Sequence, residues 1–197
     1  MKKLAAFIMF SLFVQSVFCQ MISVEVESMP KNIDEFVALR DSKAVTPEGG
    51  AAMFAIAELI YGMDEKFGMQ CFSVMLVNDG SMLRSDPKGY KGYAPSASNM
   101  FLLKQLDYQN AIAKSYIRGA TPEDRYALPD LPYIYDFSST SRKVLSDHKV
   151  KVFISSSGAS TPRPVTLEKN DKGLWKVRDF SSLVVGVNEP KVIVDDL

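Results

Sequence analysis

The stretch TPEGGAAMFAIAELIYGM, Thr46–Met63, decides how the first half of this chain is read. Thr46 is a good N-cap, and Pro47 falls at the first helical position, where a missing N–H costs nothing. Ala52, Ile56, Leu59, Ile60 and Met63 then recur at helical spacing and make one apolar stripe. The small residues Gly49, Gly50, Ala51, Ala52, Ala55 and Ala57 allow a neighbouring element to approach closely. The pattern predicts a packed helix, closed by Gly62 and the polar turn Asp64-Glu65-Lys66.

Toward the N-terminus a second helix start is legible. Asn32 with Glu35 three residues on has capping geometry, and Ile33, Phe36, Val37 and Arg40 follow at helical spacing, the first three facing inward. Residues 20–30 read as a linker or an edge strand, because Met21 to Met29 alternates weakly. Before them, MKKLAAFIMFSLFVQSVFCQ carries a basic pair, Lys2 and Lys3, an apolar run from Leu4 to Val14, and a cleavage site at Val17-Phe18-Cys19. These are the parts of a secretory signal peptide spanning residues 1–19. The chain is therefore expected to be exported, to a periplasmic or extracellular place. Lipid anchoring at Cys19 fits less well, since Ser16 and Phe18 are poor lipobox residues.

Losing 19 residues from 197 leaves about 178, enough for a single globular domain, here placed at 31–190, with an acidic tail at 191–197. Hydrophobic residues make up 47% and charged residues 23%, an ordinary globular balance, and no second apolar run is long enough to span a bilayer. Once Cys19 leaves, Cys71 is the only thiol, so no intrachain disulfide can form. Lying in an apolar run, it is expected to be buried and inert. The formal charge is zero, but residues 20–70 hold nine acids and four bases whereas 142–179 hold nine bases and four acids. A basic face could meet phosphates or anionic envelope polymers, but the bases alternate with apolar residues as on an ordinary strand, which speaks for two solvated faces or two halves facing each other; no nucleic-acid partner is assigned.

Toward the C-terminus, Met69 to Val77 is an apolar run that fits a buried helix or a buried strand; helix is preferred, as the second arm of a helical hairpin. Asn78 to Ser98 reads as a loop. Met100 to Leu106 and Ala111 to Ile117 read as short helices, and Gly119 to Pro132 as a second loop. The last third is β: Tyr133–Phe137, then Val150, Val152 and Ile154 alternating with polar neighbours. Val165 to Val177 follows as a hairpin turned by Asn170-Asp171-Lys172-Gly173, with Trp175 in the core. Leu183, Val185 and Val187 suggest one more strand. The expected fold class is α+β, with N-terminal helices packed on a C-terminal antiparallel sheet.

Chemistry-bearing motifs are few. His148 is the only histidine, it has no nucleophile elbow near it, and it is expected to be exposed. There is no HExxH, CxxC, calcium loop or glycine-rich phosphate loop, so no catalytic residues, metal ligands or cofactors are assigned. Two segments remain as ligand-binding candidates. In Gly89-Tyr90-Lys91-Gly92-Tyr93, Tyr90 and Tyr93 would stack on a sugar or another flat ligand, with Lys91 between them, or else pack down and anchor the loop. In the run Ser155 to Pro164, Arg163 sits between two prolines. It would offer a planar fork to a carboxylate or phosphate, or pair with an internal acid.

The strings TPEGGAAMF (Thr46–Phe54), GATPED (Gly119–Asp124), SSGASTPRPVTLEKNDKGLWKV (Ser156–Val177) and FSSLVVGV (Phe180–Val187) resemble a family of exported bacterial proteins of unknown function. That resemblance implies a single domain and transfers no catalytic residue. The order of helices then strands, closed by a Gly-x-Trp-Lys-Val hairpin, is also similar to the nuclear-transport-factor-2-like cone, an analogy of fold alone. The function expected is non-catalytic: binding of a small ligand, a glycan or an envelope protein. The rival is a hydrolase acting on envelope material. A groove formed by Tyr90, Tyr93 and Arg163 would favour the binder, and a deep polar pocket with His148 or converging carboxylates the enzyme.

Overall fold

The computed structural model describes residues 21–191; the expected signal peptide, residues 1–19, and the acidic end of the tail lie outside the described residues. Three helices come early: α1 (Ile33–Lys43), α2 (Pro47–Met63) and α3 (Glu65–Met75). Their starts follow from capping. The Asn32 side chain accepts from the Glu35 N–H at 3.0 Å, Thr46 Oγ1 from the Gly49 N–H at 3.0 Å, and Asp64 from the Phe67 N–H at 2.9 Å. The run 69–77 is thus helical as far as Met75, and α2 and α3 form the expected hairpin.

Most strands lie in the second half: β4 (Tyr133–Ser138), β5 (Lys143–Ser146), β6 (Lys149–Ile154), β7 (Arg163–Lys169) and β8 (Trp175–Asp179). With β1 (Met21–Val26) they form a six-stranded antiparallel sheet in the order β1-β4-β6-β7-β8, with β5 also pairing with β6. The fold is α+β. β1 forms the sheet edge against β4, in register from Met21 opposite Ser138 to Val26 opposite Tyr133. Along β6, Val150, Val152 and Ile154 point into the core, as a period of two requires. Trp175 and Val177 are buried on β8, in the hairpin with β7.

The core lies between the sheet and α2, which touches β1, β6, β7 and β8 as well as α1, α3 and α5 (Ala111–Lys114). Every α2 residue from Pro47 to Tyr61 is buried, so the helix is not the one-striped element its apolar spacing predicts. A helix enclosed all round belongs to a core. Two glycines permit this. A Cβ on Gly50 would stand 2.8 Å from both the Leu167 Cδ2 and the Trp175 carbonyl oxygen, so α2 lies directly on β7 and β8. A Cβ on Gly68 would run into the Tyr61 backbone, so α3 crosses α2 at glycine range. Phe54 fills the centre, its ring 5.3 Å from that of Phe72 and 4.9 Å from that of Phe180.

Three expectations are corrected. Asn78–Ser98 is not all loop: β2 (Leu83–Tyr90) and β3 (Tyr93–Pro95) make a separate two-stranded sheet against α3. Its sequence hides it, because Pro87, Gly89 and four charged residues, Arg84, Asp86, Lys88 and Lys91, read as turn chemistry. Residues 183–187 are not a strand. Leu183 and Val184 are buried consecutively, which breaks the alternation, and the Leu183 carbonyl accepts from the Tyr116 hydroxyl at 2.6 Å instead of from a ladder partner. The short helices differ from expectation: α4 (Ala97–Leu103) starts three residues earlier and passes into a 3₁₀ turn at Lys104–Asp107, and α5 is a single turn that ends before Ile117.

Candidate ligand-binding site

The β2–β3 hairpin closes on Lys91 and Gly92, both in the left-handed region with φ of 51° and 83°. That pair of positive φ values is what a two-residue hairpin turn demands, and it places Tyr90 and Tyr93 opposite each other at the hairpin tip. Lys91 Nζ lies 5.4 Å from the centroid of the Tyr90 ring, within cation–π range. Tyr90 is half-buried and Tyr93 exposed. The structure thus brings together three of the four residues singled out from sequence.

Around them lie two adjoining hollows, of about 230 and 350 Å³, that share Tyr90, Tyr93 and Ser73. The first is basic. α1 contributes Arg40, β8 contributes Lys176, the hairpin turn contributes Lys91, and no acid lines it. Arg40 Nε is 2.7 Å from Asp41, and the guanidinium also donates to the Val74 carbonyl at 3.4 Å. Lys176 has no ion-pair partner among the described residues. Burial, and after it the charge of Arg40, pulls Lys176 down to about 8. The second hollow is mixed in charge, with Glu65, Lys66, Arg84, Asp86 and Lys88 along it, Arg84 and Asp86 pairing at 2.8 Å.

Arg163 is not part of this surface. It opens β7 and lines neither hollow. It donates to the Gly186 carbonyl at 3.0 Å and makes no ion pair among the described residues. So the groove of two tyrosines and Arg163 does not form, and the internal acid expected as the alternative partner is replaced by a main-chain carbonyl. The small residues before it serve packing: Ser157 donates from its N–H to the Ser115 carbonyl at 2.9 Å and from its hydroxyl to the Ala120 carbonyl at 2.6 Å. His148 sits exposed in the turn between β5 and β6, lining none of these hollows. Cys71 is buried in α3, and burial pushes its thiol well up, which keeps it from the reactive thiolate form.

Arg40 and Lys176 were not legible as site residues. Arg40 shows only as one more position at helical spacing, and Lys176 as the outward residue between Trp175 and Val177. They meet because the end of α1 is tied to the start of β8, where the Ala44 carbonyl accepts from the Trp175 N–H at 2.7 Å, a tertiary fact. Among the described residues, no cluster of three or more His, Cys, Asp or Glu side chains could hold a metal ion. No helix among them is long and apolar enough to cross a membrane.

Residues 28–191 match a family described as a domain of unknown function, DUF6935. The chain belongs to that family. No curated protein and no solved structure matches it. The family span includes α1, the β2–β3 hairpin and β8, so every wall of the basic hollow falls inside it, whereas β1 lies before its first residue.

Proposed function

We propose that the domain is a non-catalytic binding module of the cell envelope, and that it binds an anionic glycan across the tyrosine hairpin. One observation carries this reading: Tyr90 and Tyr93 form the shared wall of a hollow whose other walls present Arg40 and an unpaired Lys176. An aromatic face suits the apolar face of a sugar ring, and neighbouring cations suit a carboxylate or sulfate on it. Two hollows in a row, with the tyrosines between them, suit an extended chain better than a single small molecule. The leader, with Lys2, Lys3 and its apolar run, supports a place outside the cytoplasm, where such polymers are found.

Calorimetric titration with a uronic-acid oligosaccharide, against a neutral glucose oligosaccharide of equal length, tests this. The acidic sugar should bind at least tenfold more tightly. Lys176→Met should abolish that preference, and Tyr93→Ala should weaken binding of both. Binding should fall between pH 7 and 9, because Lys176 loses its charge as pH rises through about 8. Equal affinity for the two sugars, or no binding of either, would refute the reading. Shortened sugars appearing during the titration would favour the hydrolase. Intact-mass analysis of exported protein should begin at Gln20; a lipid-modified Cys19 would contradict cleavage after that residue.

A further inference from the structure

Glu58 is the outlier of α2. It lies in the middle of a helix enclosed on all sides, only 1% exposed, and neither of its carboxyl oxygens has a hydrogen-bond partner among the described residues. A buried polar group without a partner is rare in native proteins and calls for an explanation. Glu58 also lines a cavity of about 190 Å³ between α2, the 3₁₀ turn at Lys104–Asp107, α5 and the loop at Leu128. Leu59, Met63, Leu106, Ala113 and Leu128 make its wall apolar, and Asn110 and Lys114 supply its other polar side chains. An apolar cavity of about 150 Å³ is known to hold benzene, so this one has room for a six-membered ring and a small head group.

We propose that the cavity is a second binding site, for a small uncharged molecule with a ring-sized apolar body and a head group offering a donor and an acceptor side by side, such as a primary amide or a lactam, seated head-first on the Glu58 carboxyl.

Both Glu58 oxygens are closed to a water-sized contact, so the head group meets them as the side chain turns toward the cavity, and the chemistry follows from what the carboxyl leaves unpaired. A protonated carboxyl has one O–H to give and one carbonyl oxygen to receive, and a carboxamide satisfies both through a paired, two-bond contact. A charged ligand would have to shed its hydration in an apolar space, which disfavours it. The surroundings keep Glu58 in the required form: burial alone holds its carboxyl well above the usual range. The groups that face it do not oppose this. From β4 comes Tyr135, whose hydroxyl also has no partner among the described residues; from the segment after α5 comes Tyr116, whose hydroxyl is spent on Leu183; an ionised Glu58 would raise both further. Lys114 of α5 lines the cavity and makes no ion pair with Glu58. The site is separate from the tyrosine hollow and shares no residue with it.

Benzamide is the probe, with toluene as a ring lacking the head and methyl benzoate as a head that only accepts. Binding is read by calorimetry and by ligand-detected NMR on the full chain. Benzamide should bind the native protein at least tenfold more tightly than methyl benzoate, and its affinity should decline as pH rises and Glu58 ionises. Glu58→Gln keeps a donor and an acceptor, so it should retain benzamide within a few-fold and lose the pH dependence. Glu58→Met matches the side chain in shape and removes both groups, so it should lose benzamide at least tenfold while still taking toluene. An apolar replacement of an unpartnered buried carboxyl is expected to leave the fold intact, which a thermal melt checks. Equal affinity of native protein and Glu58→Met for benzamide would overturn the proposal, as would no binding of benzamide to native protein or to Glu58→Gln. Acidic-sugar binding at the tyrosine hairpin should be unchanged in Glu58→Met, so the two sites stand or fall separately.

Discussion

Two glycines six residues apart should respond to the same substitution with opposite sign. Gly62 lies within α2, and a Cβ built there meets nothing within 4 Å. Gly62→Ala should therefore return the helix-propensity difference alone, about 0.5–1 kcal/mol of added stability. Gly68, in α3, has the same propensity deficit, but its Cβ would fall inside contact distance of the Tyr61 N, Cα and Cβ. Two of those three atoms are backbone, so relief requires α2 and α3 to separate. That separation disturbs the Tyr61–Phe72 pair, whose centroids are 5.7 Å apart. Overpacking of this kind costs about 1–3 kcal/mol, and immovable neighbours put it at the upper end. After the propensity gain, Gly68→Ala should be destabilised by about 1–2 kcal/mol. For a domain of this size 1 kcal/mol moves Tm by about 2–4 °C, so the two variants should melt about 3–12 °C apart, on either side of the parent. Urea denaturation followed by circular dichroism provides the free energies, and the m-value should stay constant. A Gly68→Ala protein as stable as the parent would show that the helices are not in glycine-range contact and would refute the packing described here.

Two other outcomes are expected. Trp175→Ala removes a buried ring from β8 and should cost about 3–5 kcal/mol, with blue-shifted fluorescence in the parent as the companion signal; water-like emission would contradict its burial. Cys71 should react with a thiol reagent only at the rate of unfolding, so labelling should speed up on adding denaturant, and rapid labelling of the native protein would count against a closed α3.

The parts of the fold that could be read from sequence are those where local chemistry and tertiary packing agree. Asn32 and Thr46 announce helices because their side chains satisfy first-turn N–H groups whatever the rest of the chain does, whereas Asp64, read as part of a polar turn, caps α3 in the same way. Val150, Val152 and Ile154 announce β6 because a strand with one buried face must alternate. β5 gives no such signal. All four of its residues are exposed, Val144 and Leu145 included, so there is no inward side to read. β2 and β3 escape for a related reason. Their pairing slips between Ser85 and Tyr90, which erases the period of two. At the site, the glycine-flanked tyrosines were visible because hairpin turns have a composition. Arg40 and Lys176 were not, since nothing local relates two residues 136 positions apart. Glu58 did leave a trace. A lone acid within AAMFAIAELIYGM stands out once the helix is understood to be buried all round, but a single apolar stripe gives it a solvated face instead.

The first strand has a practical consequence. The family match begins at residue 28, two residues after β1 ends, so a fragment trimmed to the family limits would discard Met21–Val26. Such a fragment would lose no tail. It would uncover the whole hydrogen-bonding edge of β4, whose Tyr133, Tyr135 and Phe137 face the core, and would strip Ile22, Val24 and Val26 from the sheet's inner side. The Arg118 guanidinium would lose its bond to Ser23 and keep the one to Asp136. A bare, aromatic-rich edge is a template for pairing with another copy. Insolubility of the trimmed fragment would therefore be a property of the cut and not of the domain, and the unit to express, screen and crystallise starts at Met21 or before it.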